Sequence, residues 1–145
     1  MEKLKIYLAD DDKDDREIFQ EAFNEINSGN DLRIFNNGLE VIDFLNANDE
    51  IPDIIFLDLN MPLMSGIETL RIIRGNERYG SLSVVIYSTS SSERDIEDTL
   101  SAGANIYINK PNNYRALKET IMKVMKIDWQ FRTSELDREN FMFAL

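Results

Sequence analysis

Apolar residues in this chain fall in short unbroken runs, each closed by a polar or charged residue. Ile6-Tyr7-Leu8-Ala9, Ile54-Ile55-Phe56-Leu57, Val84-Val85-Ile86-Tyr87 and Ile106-Tyr107-Ile108 are the clear ones. Runs of this length without polar alternation predict strands covered on both faces, as in a parallel sheet. A weaker run, Leu32 to Phe35, sits between the turn-like Asn27-Ser28-Gly29-Asn30 and Asn36-Asn37-Gly38, and predicts a further strand near one side of the sheet. Between the runs the spacing turns helical. Ile18, Phe19, Ala22, Phe23 and Ile26 share a face, Val41, Ile42, Phe44 and Leu45 form a less regular one, and three more stretches carry Ile67, Leu70, Ile72 and Ile73, then Ile96 and Leu100, then Leu117, Ile121, Val124 and Met125. Ser90 with Glu93 reads as a capping box ahead of Ile96, and Gly103 stands where a left-handed helix end is expected. Strands and helices in alternation predict an α/β fold: a doubly wound, five-stranded parallel sheet with five helices over its two faces.

Length and composition narrow what such a fold does here. At 145 residues the chain is long enough for one core, and the regular pattern ends near Lys126, so residues 1–126 are expected to form one domain followed by a tail, 127–145. The chain has neither Cys nor His, which removes Ser-His and Cys-His nucleophile pairs, thiolate or imidazole metal sites, and disulfides. Any metal must be oxygen-ligated. With 27 acidic against 16 basic residues the net charge is −11, so nucleic acid and anionic membrane surfaces are poor partners. Asp10 interrupts the first apolar run too early for a signal peptide, and no run is long enough to span a bilayer, so a cytoplasmic location is expected. The tail holds Trp129, Phe131, Phe141 and Phe143, too apolar for a solvated end. It is expected to cover its own domain or a second copy of the chain, with a homodimer favoured.

An open parallel sheet gathers the residues just past its strands' carboxyl ends along one edge, where such folds place their sites. Here those residues are Asp10 and Asp11 after the first strand, Asp58 after the third, Ser88 after the fourth and Lys110 after the fifth. Three carboxylates repel, and a divalent cation such as Mg2+ removes the conflict. An Asp carboxylate attacks phosphorus without a general base, Lys110 and the metal neutralise the phosphoryl oxygens, and Ser88 donates a hydrogen bond.

These residues in this order resemble the receiver domain of two-component response regulators across residues 1–126. The resemblance rests on Ile6-Tyr7-Leu8-Ala9-Asp10-Asp11, on Phe56-Leu57-Asp58-Leu59-Asn60-Met61-Pro62 with Gly66 beyond, on Ser88, and on Asn109-Lys110-Pro111. It is similar to the stand-alone, chemotaxis-regulator-like receivers, and its tail is similar to those of receivers serving phytochrome-type kinases. The resemblance implies a flavodoxin-like receiver fold in which Asp58 accepts a phosphoryl group from a histidine kinase or phosphotransfer protein. It implies Mg2+ held by Asp11, Asp58 and the backbone carbonyl of Asn60, with Asp10 acting through water. It implies that Ser88 moves toward the phosphate, that Tyr107 changes rotamer, and that the face made by the fourth helix, fifth strand and fifth helix then changes its binding to a downstream protein. It also implies a cis Lys110-Pro111 peptide. Ser88 departs from the family's more common Thr, dropping a methyl and the stiffness of β-branching. No output domain follows the receiver in this sequence, so the expected output is the receiver's own surface, the tail, or both.

Plainer readings stand beside these. Asp12, Asp14, Asp15 and Glu17 fit a helix start, where carboxylates complement the macrodipole. Asp10, Asp12, Asp14 and Glu21 have EF-hand spacing, but Asp15 occupies the position that requires Gly. Gly75 to Ser81 has P-loop glycine spacing without its Lys. Two rival functions remain: a magnesium-dependent phosphatase using Asp10 and Asp12, and a phosphorylation-independent protein-binding module on the same fold.

Overall fold

A computed structural model describes residues 3–26 and 28–127. The elements are β1 (Lys5–Ala9), α1 (Lys13–Ile26), β2 (Asp31–Phe35), α2 (Gly38–Ala47), β3 (Ile54–Leu57), α3 (Gly66–Arg74), a 3-10 turn (Glu77–Tyr79), β4 (Ser83–Ser88), α4 (Glu93–Ser101), β5 (Ile106–Asn109) and α5 (Tyr114–Met125). All neighbouring strands are parallel, in the order β2-β1-β3-β4-β5. The winding reverses between β1 and β3, which opens a crevice past their carboxyl ends. Tyr7, Ala9, Ile55, Leu57, Val84, Ile86 and Tyr107 face the core shared with α2, α3 and α4. Ile6, Leu8, Ile54, Phe56, Val85, Tyr87, Ile106 and Ile108 face α1 and α5. This alternation across a two-sided sheet is why the strand runs are unbroken in sequence. β2, one of the two edge strands, mostly alternates exposed and half-buried residues instead, which explains its weaker run.

Local departures from the expected pattern have simple causes. Ile18 and Ile72 are 43% and 42% exposed, because each stands about 100° around the helix from its buried neighbour, Phe19 or Ile73. Ser92, not Ser90, caps α4, accepting from the Asp95 N–H at 3.1 Å. Ser90 is committed elsewhere: its hydroxyl donates to Asp95 Oδ2 and accepts from the Ser92 N–H. Gly103, past the end of α4, does adopt a positive φ of 103°. At the opposite end of the sheet from the crevice, the half-buried Arg74 guanidinium donates to the carbonyls of Gly103 (2.8 Å) and Leu82 (2.7 Å) and to Asn105 Oδ1 (2.7 Å). Burial lowers its pKa.

The tail expectation concerns residues 127–145, of which only Ile127 lies within the described residues; there it packs against the α1/α5 core. Among the described residues, no helix is long and apolar enough to cross a membrane.

Candidate functional site

The crevice forms because each strand ends in a residue whose backbone is still held by the sheet while its side chain passes beyond it. The Asp58 N–H donates to Ala9 O at 3.0 Å, the Asp10 N–H to Phe35 O at 3.2 Å, and the Lys110 N–H to Ser88 O at 2.8 Å. Asp58 is fixed from its other side as well. The Gly66 N–H, at the start of α3, donates to Leu59 O at 2.9 Å. A methyl at Gly66 would stand 2.8 Å from Leu59 Cα, and closer still to the Asp58 carbonyl oxygen. Glycine here lets α3 press against the backbone of Asp58 and Leu59.

Asp10, Asp11 and Asp58 each offer a carboxylate oxygen, all within 4.8 Å of one another. Asp10 and Asp58 are buried, whereas Asp11 is exposed at the mouth. Lys110 Nζ binds this group together, 2.8 Å from Asp10 Oδ2, 3.1 Å from Asp58 Oδ2 and 2.9 Å from Asp15 Oδ2. The ring of Tyr87 flanks the ammonium at 5.4 Å. Asp58 Oδ1 accepts from the Leu59 N–H at 2.8 Å, and Asp10 Oδ1 from the Asp12 N–H at 3.0 Å. The space above is about 530 Å³ and is bordered by Asp11, Asp58, Asn60, Thr89 and Lys110.

Burial raises the Asp10 pKa to about 6, against the pull of Lys110 and the Asp12 N–H and with the help of the Asp58 charge. Burial disfavours the Lys110 ammonium, but the carboxylates around it outweigh that and raise its pKa. Lys13 also borders the space, yet Asp10, Asp11, Asp12, Asp14, Asp15 and Asp58 leave the crevice with more negative charge than Lys13 and Lys110 balance. That excess, in an all-oxygen donor set, fits a hard divalent cation.

The structure therefore gathers Asp10, Asp11, Asp58 and Lys110 as the strand ends predict, and Asn60, which only the resemblance implies, borders the same space. Ser88 is buried at the end of β4, its hydroxyl accepting from the Ser90 N–H at 3.1 Å. Tyr107 is fully buried, its hydroxyl donating to Ser90 O at 2.7 Å. Both thus hold the loop between β4 and α4. The cis Lys110-Pro111 peptide is not found: among the described residues no peptide bond is cis. Trans is the lower-energy form, and the three carboxylates aim the ammonium inward without the cis bond. Asp12 takes no part in the acidic group; its carboxylate caps α1, accepting from the Asp15 N–H at 3.0 Å.

Asp15 is the residue that sequence reasoning missed, having been assigned to the helix macrodipole. No spacing in the sequence marks it, because Asp11 lies outside α1 and Asp14 offers the same helix-start charge one position earlier.

Residues 6–122 match the family model of the response regulator receiver domain. The chain is 30% identical over 124 residues to the response regulator Rcp1 of Synechocystis sp., covering 82% of this chain and 84% of that one. It is 27% identical over 122 residues to a chemotaxis protein CheY homolog of Campylobacter jejuni, covering 84% and 92%. Among solved structures, the phosphorylated cyanobacterial phytochrome response regulator RcpA superposes with a TM-score of 0.80 at 31% identity, covering 86% of this chain and 93% of that one. The Mn2+-bound form of Rcp1 gives 0.77 at 29% identity with the same coverage. A match running from β1 into α5, over a sheet whose carboxyl edge assembles these acidic residues around one lysine, places the chain in the response regulator receiver domain family of two-component signalling.

Proposed function

We propose that this receiver is a phosphoacceptor that takes a phosphoryl group onto Asp58 from a histidine kinase or phosphotransfer protein and signals through changed protein binding. The observation that carries the reading is Asp58 Oδ2 held 3.1 Å from Lys110 Nζ, within an acidic group that faces open space. An Asp58 oxygen attacks phosphorus in line as the bond to the donor nitrogen breaks, and the imidazole leaves with the electron pair. Lys110 neutralises charge on the phosphoryl oxygens, and the buried floor limits water around the nucleophile. Mg2+ would be held by Asp10, Asp11, Asp58 and Asn60, and would supply further neutralisation of the phosphoryl oxygens. A Mn2+-bound form of a similar protein supports a divalent ion here. Ser88 and Tyr107, which hold the loop before α4, are the switch residues in this reading: movement of Ser88 toward the phosphate releases that loop, and Tyr107 follows with a new rotamer.

The chain is not an enzyme in this reading, since its chemistry is confined to its own Asp58. The phosphatase alternative needs Asp12 beside the nucleophile, but that carboxylate caps α1. The deciding experiment is intact mass after incubation with acetyl phosphate, with and without Mg2+, on wild type and Asp58→Asn. One added phosphate that requires both the metal and Asp58 is expected. Label on Asp58→Asn, or no adduct on wild type when beryllofluoride also fails to bind, would overturn the reading and leave the phosphorylation-independent binding module in its place.

A further inference from the structure

Lys110 Nζ forms ion pairs with three carboxylates and donates hydrogen bonds to two of them, Asp15 Oδ2 and Asp58 Oδ2. Of the three, Asp10 and Asp58 are buried residues at strand ends, but Asp15 is different. Asp15 comes from the first turn of α1, its side chain 39% exposed, and it reaches Nζ from the rim at 2.9 Å. The lysine side chain is only 9% exposed and lies beside the Tyr87 ring, so the ammonium has little freedom to leave. Asp10 is fixed by burial and by the Asp12 N–H. When a phosphoryl group arrives at Asp58, the partner left to share or yield the ammonium is Asp15.

We propose that Asp15 is a positioning residue that competes with the incoming phosphoryl group for Lys110, and so slows phosphorylation of Asp58 by small anionic donors. The proposal rests on Asp58 being the phosphoacceptor. With acetyl phosphate, the Asp58 oxygen forms the new O–P bond while the P–O bond to acetate breaks; acetate leaves with the electron pair and no proton moves. Through this step Lys110 is the ammonium facing the phosphoryl oxygens, and while Asp15 holds one of its hydrogens part of its charge is already neutralised. A helix-dipole role alone does not account for the contact. Asp14 stands in the same first turn, yet the three ion pairs of Lys110 do not include it.

The test compares phosphate uptake from acetyl phosphate below saturation, with Mg2+, on wild type, Asp15→Asn, Asp15→Glu and Asp14→Asn, at low and at high salt. A unit charge removed a few ångströms from the reacting group at a wet rim corresponds to about five-fold in rate. Asp15→Asn is expected to be faster by about that factor, with the gain shrinking at high salt. Asp15→Glu should stay near wild type, and Asp14→Asn should gain less than about two-fold, since it changes the charge without freeing Lys110. Wild type labelled on Asp58 with Asp15→Asn no faster, or with Asp14→Asn gaining as much, overturns the proposal alone. A wild type that takes up no phosphate overturns the phosphoacceptor reading as well.

Discussion

Replacing Asp10 by Asn should stabilise the metal-free protein at alkaline pH, and the structure says by how much. The carboxyl is fully buried, and burial lifts its pKa from 3.8 to about 6. A carboxyl whose pKa is higher in the folded state binds its proton more tightly there, so folding is favoured below the unfolded value and loses support as pH rises from about 4 to about 6. At ~1.4 kcal/mol per pH unit that interval corresponds to about 3 kcal/mol. Solvent reaching the crevice mouth screens part of it, leaving about 1–3 kcal/mol. Asn keeps the shape and can still accept from the Asp12 N–H, while removing the charge that faces Asp58. Lys110 retains Asp15 and Asp58. Urea unfolding in EDTA at pH 8 and at pH 4.5 checks this, with the gain of Asp10→Asn over wild type large at pH 8 and small at pH 4.5. A variant no more stable than wild type at pH 8, or a gain independent of pH, would refute the reasoning. If the acidic group holds Mg2+ as proposed, saturating Mg2+ should reverse the order, because the ion would bind the folded wild type more tightly than the variant.

Two further substitutions probe the frame around the crevice. Gly66→Ala forces α3 away from the Asp58–Leu59 backbone and should cost about 1–3 kcal/mol, read as a lower urea midpoint, and, if Asp58 is the proposed phosphoacceptor, should slow phosphate uptake by displacing it. Ser92→Ala removes the cap of α4 and should cost about 1 kcal/mol in the same unfolding assay.

The buried strands were legible because nothing polar interrupts them. Ile54 to Leu57 could hardly lie anywhere but mid-sheet, and the weaker run of β2 between two turn-like segments placed it near one side. The acidic group was legible for a related reason: a carboxylate directly after a buried run has only the strand's open end to go to, which fixed Asp10, Asp58 and Lys110 in space. What the sequence did not show were choices between equivalent neighbours. Ser90 and Ser92 are both competent caps, and a hydrogen bond to Asp95 removed Ser90 from the role. Asp14 and Asp15 are indistinguishable as helix-start charges, and only the rotation of α1 against β5 sends one of them to Lys110. Ile18 and Ile72 were placed in the core because apolar neighbours blur a helical face.

The Arg74 guanidinium bonds at once to the residue before β4 and to two residues before β5, with no carboxylate among these partners. A half-buried charged donor shared among carbonyl and amide oxygens cannot slide without leaving its charge bare, which clamps together the starts of the two strands that lead to Ser88 and Lys110. Ser88 and Lys110 stand at or just past the opposite ends of these two strands, a full strand length from this clamp.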